Sequence, residues 1–279
     1  MTEKWLIAPG EERVIDIESA TRLKVGLVGG QVDIIAHDEP GIRIEVHGVT
    51  IKDLRVESHG GEVEIDHPQL GWDNFLEVFR NFGSGGPRAE VSVAVPRSIA
   101  LNLGVVSAGA LVSGIRNDAR LSTVSGDIIV DTLIGDLTVN SVSGDVQVRG
   151  LTGSLTANSV SGDVAVTGAV RKATIDTVSG AALVDAAGDV NTINLNTVAG
   201  SSTVRLDETL AANYVARSLS GRILIDGVER NSSGPSNYTG STGELSGRFV
   251  DVRANSVSGS ITVLRRATAS VADDAEWES

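Results

Sequence analysis

The sequence predicts an all-β chain built as a β-solenoid. The expected form is a β-helix-like stack of nine-residue units, two units to each coil, plus one short amphipathic helix. Three observations lead there. A T/S-V-S-G motif returns along the chain, with glycines at Gly126, Gly144, Gly162, Gly180, Gly200, Gly221 and Gly259. Apolar residues around it advance in steps of four, two and three, as at Val142, Val146, Val148, Leu151, Leu155, Ala157 and Val160. Hydrophobic residues make up 41% of the chain but aromatics only 3%, so Val, Ile, Leu and Ala must carry the core. Such side chains stack in ranks on a pleated surface rather than fill one deep globular interior.

Residues 1–105 read as an N-terminal β-strand region. GIRIEVHG (41–48), GEVEID (61–66) and AEVSVAVP (89–96) alternate apolar and polar residues with the period of two that places alternate side chains on one face. Segment 72–82, WDNFLEVFRNF, breaks that grammar. At about 100° per residue, Trp72, Phe75, Leu76, Val78, Phe79 and Phe82 share one arc and the polar residues fill the other. It is expected as a helix that caps the stack, with docking to a partner or a membrane surface as the alternatives. Residues 106–266 form the regular repeat, in which a step of two is a strand and the longer steps pass through the Ser-Gly turn. The repeat glycines keep an even two-unit spacing from Gly126 to Gly180, widen slightly through Gly200 and Gly221, and then jump to Gly259. That last gap is assigned to a Ser/Gly/Asn-rich excursion at 226–247. Residues 267–279 are acidic and aperiodic and are expected as a disordered tail. An antiparallel meander would also suit nine-residue spacing.

Gly126, Gly144, Gly162 and Gly180 are expected to be structural, through a positive φ or a close backbone approach at the turn. Asp127, Asp145 and Asp163 recur once per coil and should stack. Side-chain capping of the turn is the first reading. A Ca²⁺ ladder is the second, since stacked carboxylates supply oxygen ligands. His37, His47, His59 and His67 each end a strand-like run, and they could meet at one edge as a metal or pH-sensitive site.

A net charge of −13 and a pI near 4.7 disfavour binding to the phosphate backbone, so nucleic acid is excluded as a partner. The absence of cysteine removes disulfides, thiolate metal sites and cysteine nucleophiles. No P-loop, GxSxG or HExxH motif occurs, and neither an enzyme activity nor a cofactor is expected. No apolar run is long enough to cross a membrane as a helix and no secretory leader is visible, so a cytoplasmic location is expected.

The T/S-V-S-G-D-V-x-V units follow an alternating block that ends in Val93-Ala94-Val95-Pro96. Together they resemble the Toastrack family of adhesin-like β-strand-repeat proteins over roughly residues 15–265. The resemblance implies a solenoid-like fold, no established catalytic activity, and a link to bacterial envelope-stress or surface-associated processes. The function expected is a non-enzymatic scaffold or protein-interaction module whose protein partner is not identified by the sequence. The alternatives are a carbohydrate-binding or carbohydrate-active β-helix, and a protein that self-associates into filaments through open ends.

Overall fold

Residues two units apart in the repeat lie side by side. The structure, a computed structural model, describes residues 2–67, 86–230 and 235–266. The described residues form 24 β-strands and no helix. No helix among them is long and apolar enough to cross a membrane. The residues of the expected helix, 72–82, and of the acidic tail, 267–279, lie outside the described residues.

The first eight strands are β1 (Thr2–Ile7), β2 (Arg13–Ile17), β3 (Arg22–Leu27), β4 (Gly29–His37), β5 (Ile42–Thr50), β6 (Leu54–His59), β7 (Glu62–Asp66) and β8 (Arg88–Pro96). The repeat continues as β9 (Ala100–Val105), β10 (Gly109–Ser113), β11 (Ala119–Thr123), β12 (Ile128–Ile134), β13 (Leu137–Ser141), β14 (Val146–Ser159), β15 (Val164–Thr177), β16 (Ala182–Ala186), β17 (Thr192–Thr197) and β18 (Ser202–Asp207). The last six are β19 (Ala211–Ser218), β20 (Ile223–Ile225), β21 (Val228–Glu229), β22 (Ser236–Thr242), β23 (Phe249–Ser256) and β24 (Ile261–Arg266).

Within the repeat, pairing is parallel: Ala119 lies beside Leu137, Leu137 beside Leu155, and Val146 beside Val164. This excludes the antiparallel meander there. Each rung of the stack places one strand on each of two faces. The long strands β14 and β15 each supply both faces of a rung, so that β14 pairs with β12 and with β13. Inward side chains form columns, among them Leu103–Leu121–Val139–Ala157–Ile175–Leu195 on one face and Val112–Val130–Val148–Val166–Val184–Val204 on the other. All twelve are buried in one cluster that runs from Ile7 to Val263. A core only two side chains thick has little room for rings, which accounts for the shortage of aromatics.

Chain order and stacking order part company at both ends. The β23/β24 rung lies between β17/β18 and β19/β20, because β17 pairs with β23 and β23 with β19. The long gap after Gly221 is therefore a displaced rung as well as an excursion: Gly221 sits next to Gly259, not next to Gly200. Within the excursion, β22 runs antiparallel along the outer edge of β19, and Asp226-Gly227 turns β20 into β21. At the other end the β3/β4 rung lies between β9/β10 and β7/β8, and β6, β1, β5 and β2 add antiparallel strands outside β7/β8. The ends on which filament growth would depend are thus antiparallel strands, not bare copies of the repeat.

The recurring glycines owe their identity to this spacing. A Cβ on Gly144 would sit 2.0 Å from the carbonyl oxygen of Gly126, and one on Gly162 would sit 2.0 Å from that of Gly144. Gly126 and Gly180 meet Ala108 and Gly162 in the same way, at 1.9 and 2.1 Å. None of the four has a positive φ. Close backbone approach alone excludes side chains here. Gly144→Ala should therefore lower stability by about 1–3 kcal/mol through overpacking against an unyielding carbonyl. Thermal melts read this directly, and an unchanged midpoint would show that the rungs can separate at the turn.

Candidate functional site

Each residue of the T/S-V-S-G-D motif has its own stripe along the corner where the two faces meet. The first position is a buried hydroxyl that holds the turn. Thr123, Ser159 and Thr197 donate to the carbonyls of Gly126, Gly162 and Gly200 at 2.6, 2.6 and 2.8 Å. In other copies the partner changes: Thr177, Ser256 and Ser218 accept from the amides of Gly180, Gly259 and Gly221 at 3.1, 2.7 and 2.8 Å. The role was missed in the sequence, although an unbroken series of Thr or Ser three positions before glycine was its signal. The third position also donates, but across rungs. Ser143 Oγ reaches the carbonyl of Val124 at 2.9 Å, and Ser161 that of Val142 at 3.1 Å.

The fifth position carries Asp127, Asp145 and Asp163. Asp127 Oδ1 accepts from the amide of Asp145 at 2.9 Å, Asp145 Oδ1 from that of Asp163 at 2.9 Å, and Asp163 Oδ1 from that of Ala181 at 2.7 Å. A second series stands one unit out of phase, with Asp118 accepting from Asp136 and Asp136 from Ser154. One oxygen of each carboxylate is committed to the next rung. No group of three His, Asp or Glu among the described residues is placed to hold a metal.

The second position differs from the rest. Counted with the apolar core by its spacing, the valine instead points outward. Val142, Val160, Val178, Val198, Val257 and Leu219 succeed one another on adjacent rungs and are 41–59% exposed. The column's N-terminal members, Val28, Val106 and Val124, are buried. Beside this aliphatic rib runs an amide stripe in which Asn158 donates to Asn140 at 3.1 Å, Asn196 to Asp176 at 2.7 Å and Asn255 to Asn196 at 2.9 Å.

Where the amide stripe continues toward the N-terminal rungs, its register positions become Ser122, Gly104 and Gly26. The loss of side chains opens a trough of about 500 Å³ between Asn140 and the charged pair Lys24–Glu64, bonded at 2.7 Å. A neighbouring hollow of about 590 Å³ shares Lys24 and Asn102 with it. The hydrogen bond to Glu64 raises the pKa of Lys24, which keeps the ammonium charged. Asp66, buried at the trough edge, is gripped by both arms of Arg55 at 2.7 and 2.6 Å. Neither group is released to act as a base or nucleophile.

The four histidines do not form one site. His37 Nδ1 accepts from the amide of Glu39, His47 bonds Ser92, His59 bonds Thr2, and His67 bonds the carbonyl of Asp53. His67 alone is fully buried, and its Nε2 has no partner among the described residues. Trp72, Phe75, Leu76, Phe79 and Phe82, expected as the cap or docking face, lie outside the described residues.

The electrostatics of these groups can be read in two measurements. Asp145→Ala removes an inter-rung acceptor and should cost about 0.5–1.5 kcal/mol. Asp145→Asn keeps the acceptor and relieves repulsion from Asp127 and Asp163, so its melting temperature should hold or rise at low salt. The other measurement concerns His67. Burial holds its pKa below the usual value of 6.5, against the smaller raising effects of the Asp53 carbonyl and Asp66, with Lys52 adding to the lowering. Below about pH 6.5 the unfolded imidazole takes up a proton that the native one does not, so stability falls as the pH drops toward the native pKa. In His67→Gln that part of the decline should vanish from denaturant titrations run between pH 7 and 5.

The chain is similar to solved structures only at low identity. One is a candidate cell adhesion protein from Clostridium sporogenes ATCC 15579, 16% identical, covering 93% of this chain and 100% of its own, with a TM-score of 0.30. Another is a candidate adhesin from Bacteroides fragilis NCTC 9343, 12% identical over 91% of this chain and 98% of its own, with a TM-score of 0.45. A third is a candidate lipid-binding protein from Parabacteroides distasonis ATCC 8503, 12% identical over 92% and 96%, with a TM-score of 0.41. No curated protein matches the sequence. The family model Toastrack DUF4097 matches residues 20–264, and the chain belongs to the Toastrack family.

Proposed function

We propose that the chain is a non-enzymatic interaction scaffold whose working surface is the striped corner of the stack. The observation that carries this reading is the division of labour within the motif. Hydroxyl, glycine and aspartate stripes are occupied in holding turns and rungs, while from Val142 onward the aliphatic stripe faces solvent beside a row of amides bonded to one another along the stack. A surface of that kind offers many equivalent contacts and no single focus, which suits adhesion to a partner better than turnover of a substrate. The trough supports the same reading, because its lysine is held charged and its buried aspartate is held by arginine.

A carbohydrate-binding role is less well supported. Sugar stacking needs a platform of exposed rings, and of the three aromatics in the repeat region Tyr214 is buried in the core, Tyr238 packs against it, and Phe249 alone is exposed. Capture from the native cell, compared between the wild type and Asn158→Ala/Val160→Lys, tests the scaffold role. Specific partners should be retained by the wild type and lost by the variant, with the fold unchanged by circular dichroism. Turnover of polysaccharide, ester or phosphate substrates that disappears in Lys24→Ala would overturn the reading.

A further inference from the structure

From Val142 onward the valine stripe faces solvent, whereas the hydroxyl, glycine and aspartate positions of the motif are engaged within the described molecule. A β-branched residue favours an extended backbone, yet threonine would do that at an exposed corner without leaving a hydrocarbon surface in water. Six successive rungs nevertheless present Val142, Val160, Val178, Val198, Val257 and Leu219 to solvent. Scattered exposed aliphatics need no explanation, but a contiguous row of them marks a contact surface.

The shape of the row narrows the choice of partner. Its knobs repeat at the rung spacing of about 4.8 Å, so six of them extend about 24 Å. A surface without that period falls out of step with the row within a few rungs. An identical row, displaced by half a rung, interdigitates along the full length, as like side chains do between paired β-sheets. The flanks allow the approach despite a net charge of −13. On one side stand serine hydroxyls turned onto backbone carbonyls. On the other stand neutral amides, among which the one carboxylate, Asp176, is bonded to Asn196, and the row ends in Arg217 beside Asn255.

Resting on the scaffold reading, we propose that the rib is a homotypic contact, pairing two copies of this chain about a two-fold axis through their corner valines. The strip is narrow, which puts the interface in the small, transient class below about 1,200 Å². The dimer should accordingly be weak and should strengthen with salt, which screens the repulsion between two acidic chains.

The absence of native cysteine makes the test clean. Val178→Cys, at the middle of the rib, should give a disulfide-linked dimer under mild oxidation, whereas Thr203→Cys on the other face should not. Sedimentation of the wild type should show a dimer whose dissociation constant rises about tenfold or more in Val160→Lys/Val178→Lys. Val160→Thr/Val178→Thr keeps the β-branch and should weaken it in the same direction, while melting curves confirm that both variants fold. Cross-linking no greater for Val178→Cys than for Thr203→Cys, or sedimentation unchanged in the lysine variant, would overturn homotypic pairing. If a different partner is still captured by the wild type and lost in Asn158→Ala/Val160→Lys, only the pairing fails and the scaffold reading stands. Capture indifferent to that variant would remove the scaffold reading itself.

Discussion

The structure depends on rungs whose backbones meet at the corner with no side chain between them. At the turn, the carbonyl of one glycine lies where the Cβ of the next would be. Parallel hydrogen bonding fixes the rung spacing at about 4.8 Å, and the glycine column lets the chain turn a corner without breaking that spacing. Once the backbones are in step, every side chain at a given motif position is in step as well. Buried hydroxyls, capping carboxylates, paired amides and exposed valines all become rows.

The rows are of two kinds. Inward rows are satisfied by more of the same, since Val on Val on Val excludes water at each added rung. Outward polar rows must find partners along the axis. The carboxylate stripe does so by accepting a backbone N–H from the next rung, and the amide stripe by donating to its neighbour. Carboxylates stacked this closely repel each other, and the N–H they accept compensates for that proximity. The aliphatic stripe has no such internal outlet, and from Val142 onward it stays in solvent.

Much of this was legible in the sequence. The alternation in AEVSVAVP and the two-unit return of the motif specified strands and favoured a stack of repeats, while the parallel pairing that excludes the meander came from the structure. The close approach at Gly144 was one of two readings its spacing allowed. Other features were hidden because periodicity does not distinguish them. Val142 and Val146 look alike to a hydropathy pattern, yet only the second is inside. The stacking order of the last rungs was also hidden, since the gap from Gly221 to Gly259 reads the same whether the chain loops outward or skips a place. The trough depended on register between Gly26 and Gly104, which are distant in the chain and outside the motif.

The displaced rung also bears on how the fold is reached. Residues 249–266 occupy a slot bounded by strands that precede them in the chain, β17 and β18 on one side and β19 and β20 on the other. During synthesis those strands emerge first, and until the filling segment follows, the parallel edges of β17/β18 and of β19/β20 are both unpaired. Such edges are the templates on which strands from other chains pair. Completion of the stack is therefore a keystone step. It seals the most adhesive surface of the nascent chain with the chain's own segment and ties its assembly to elongation past residue 266.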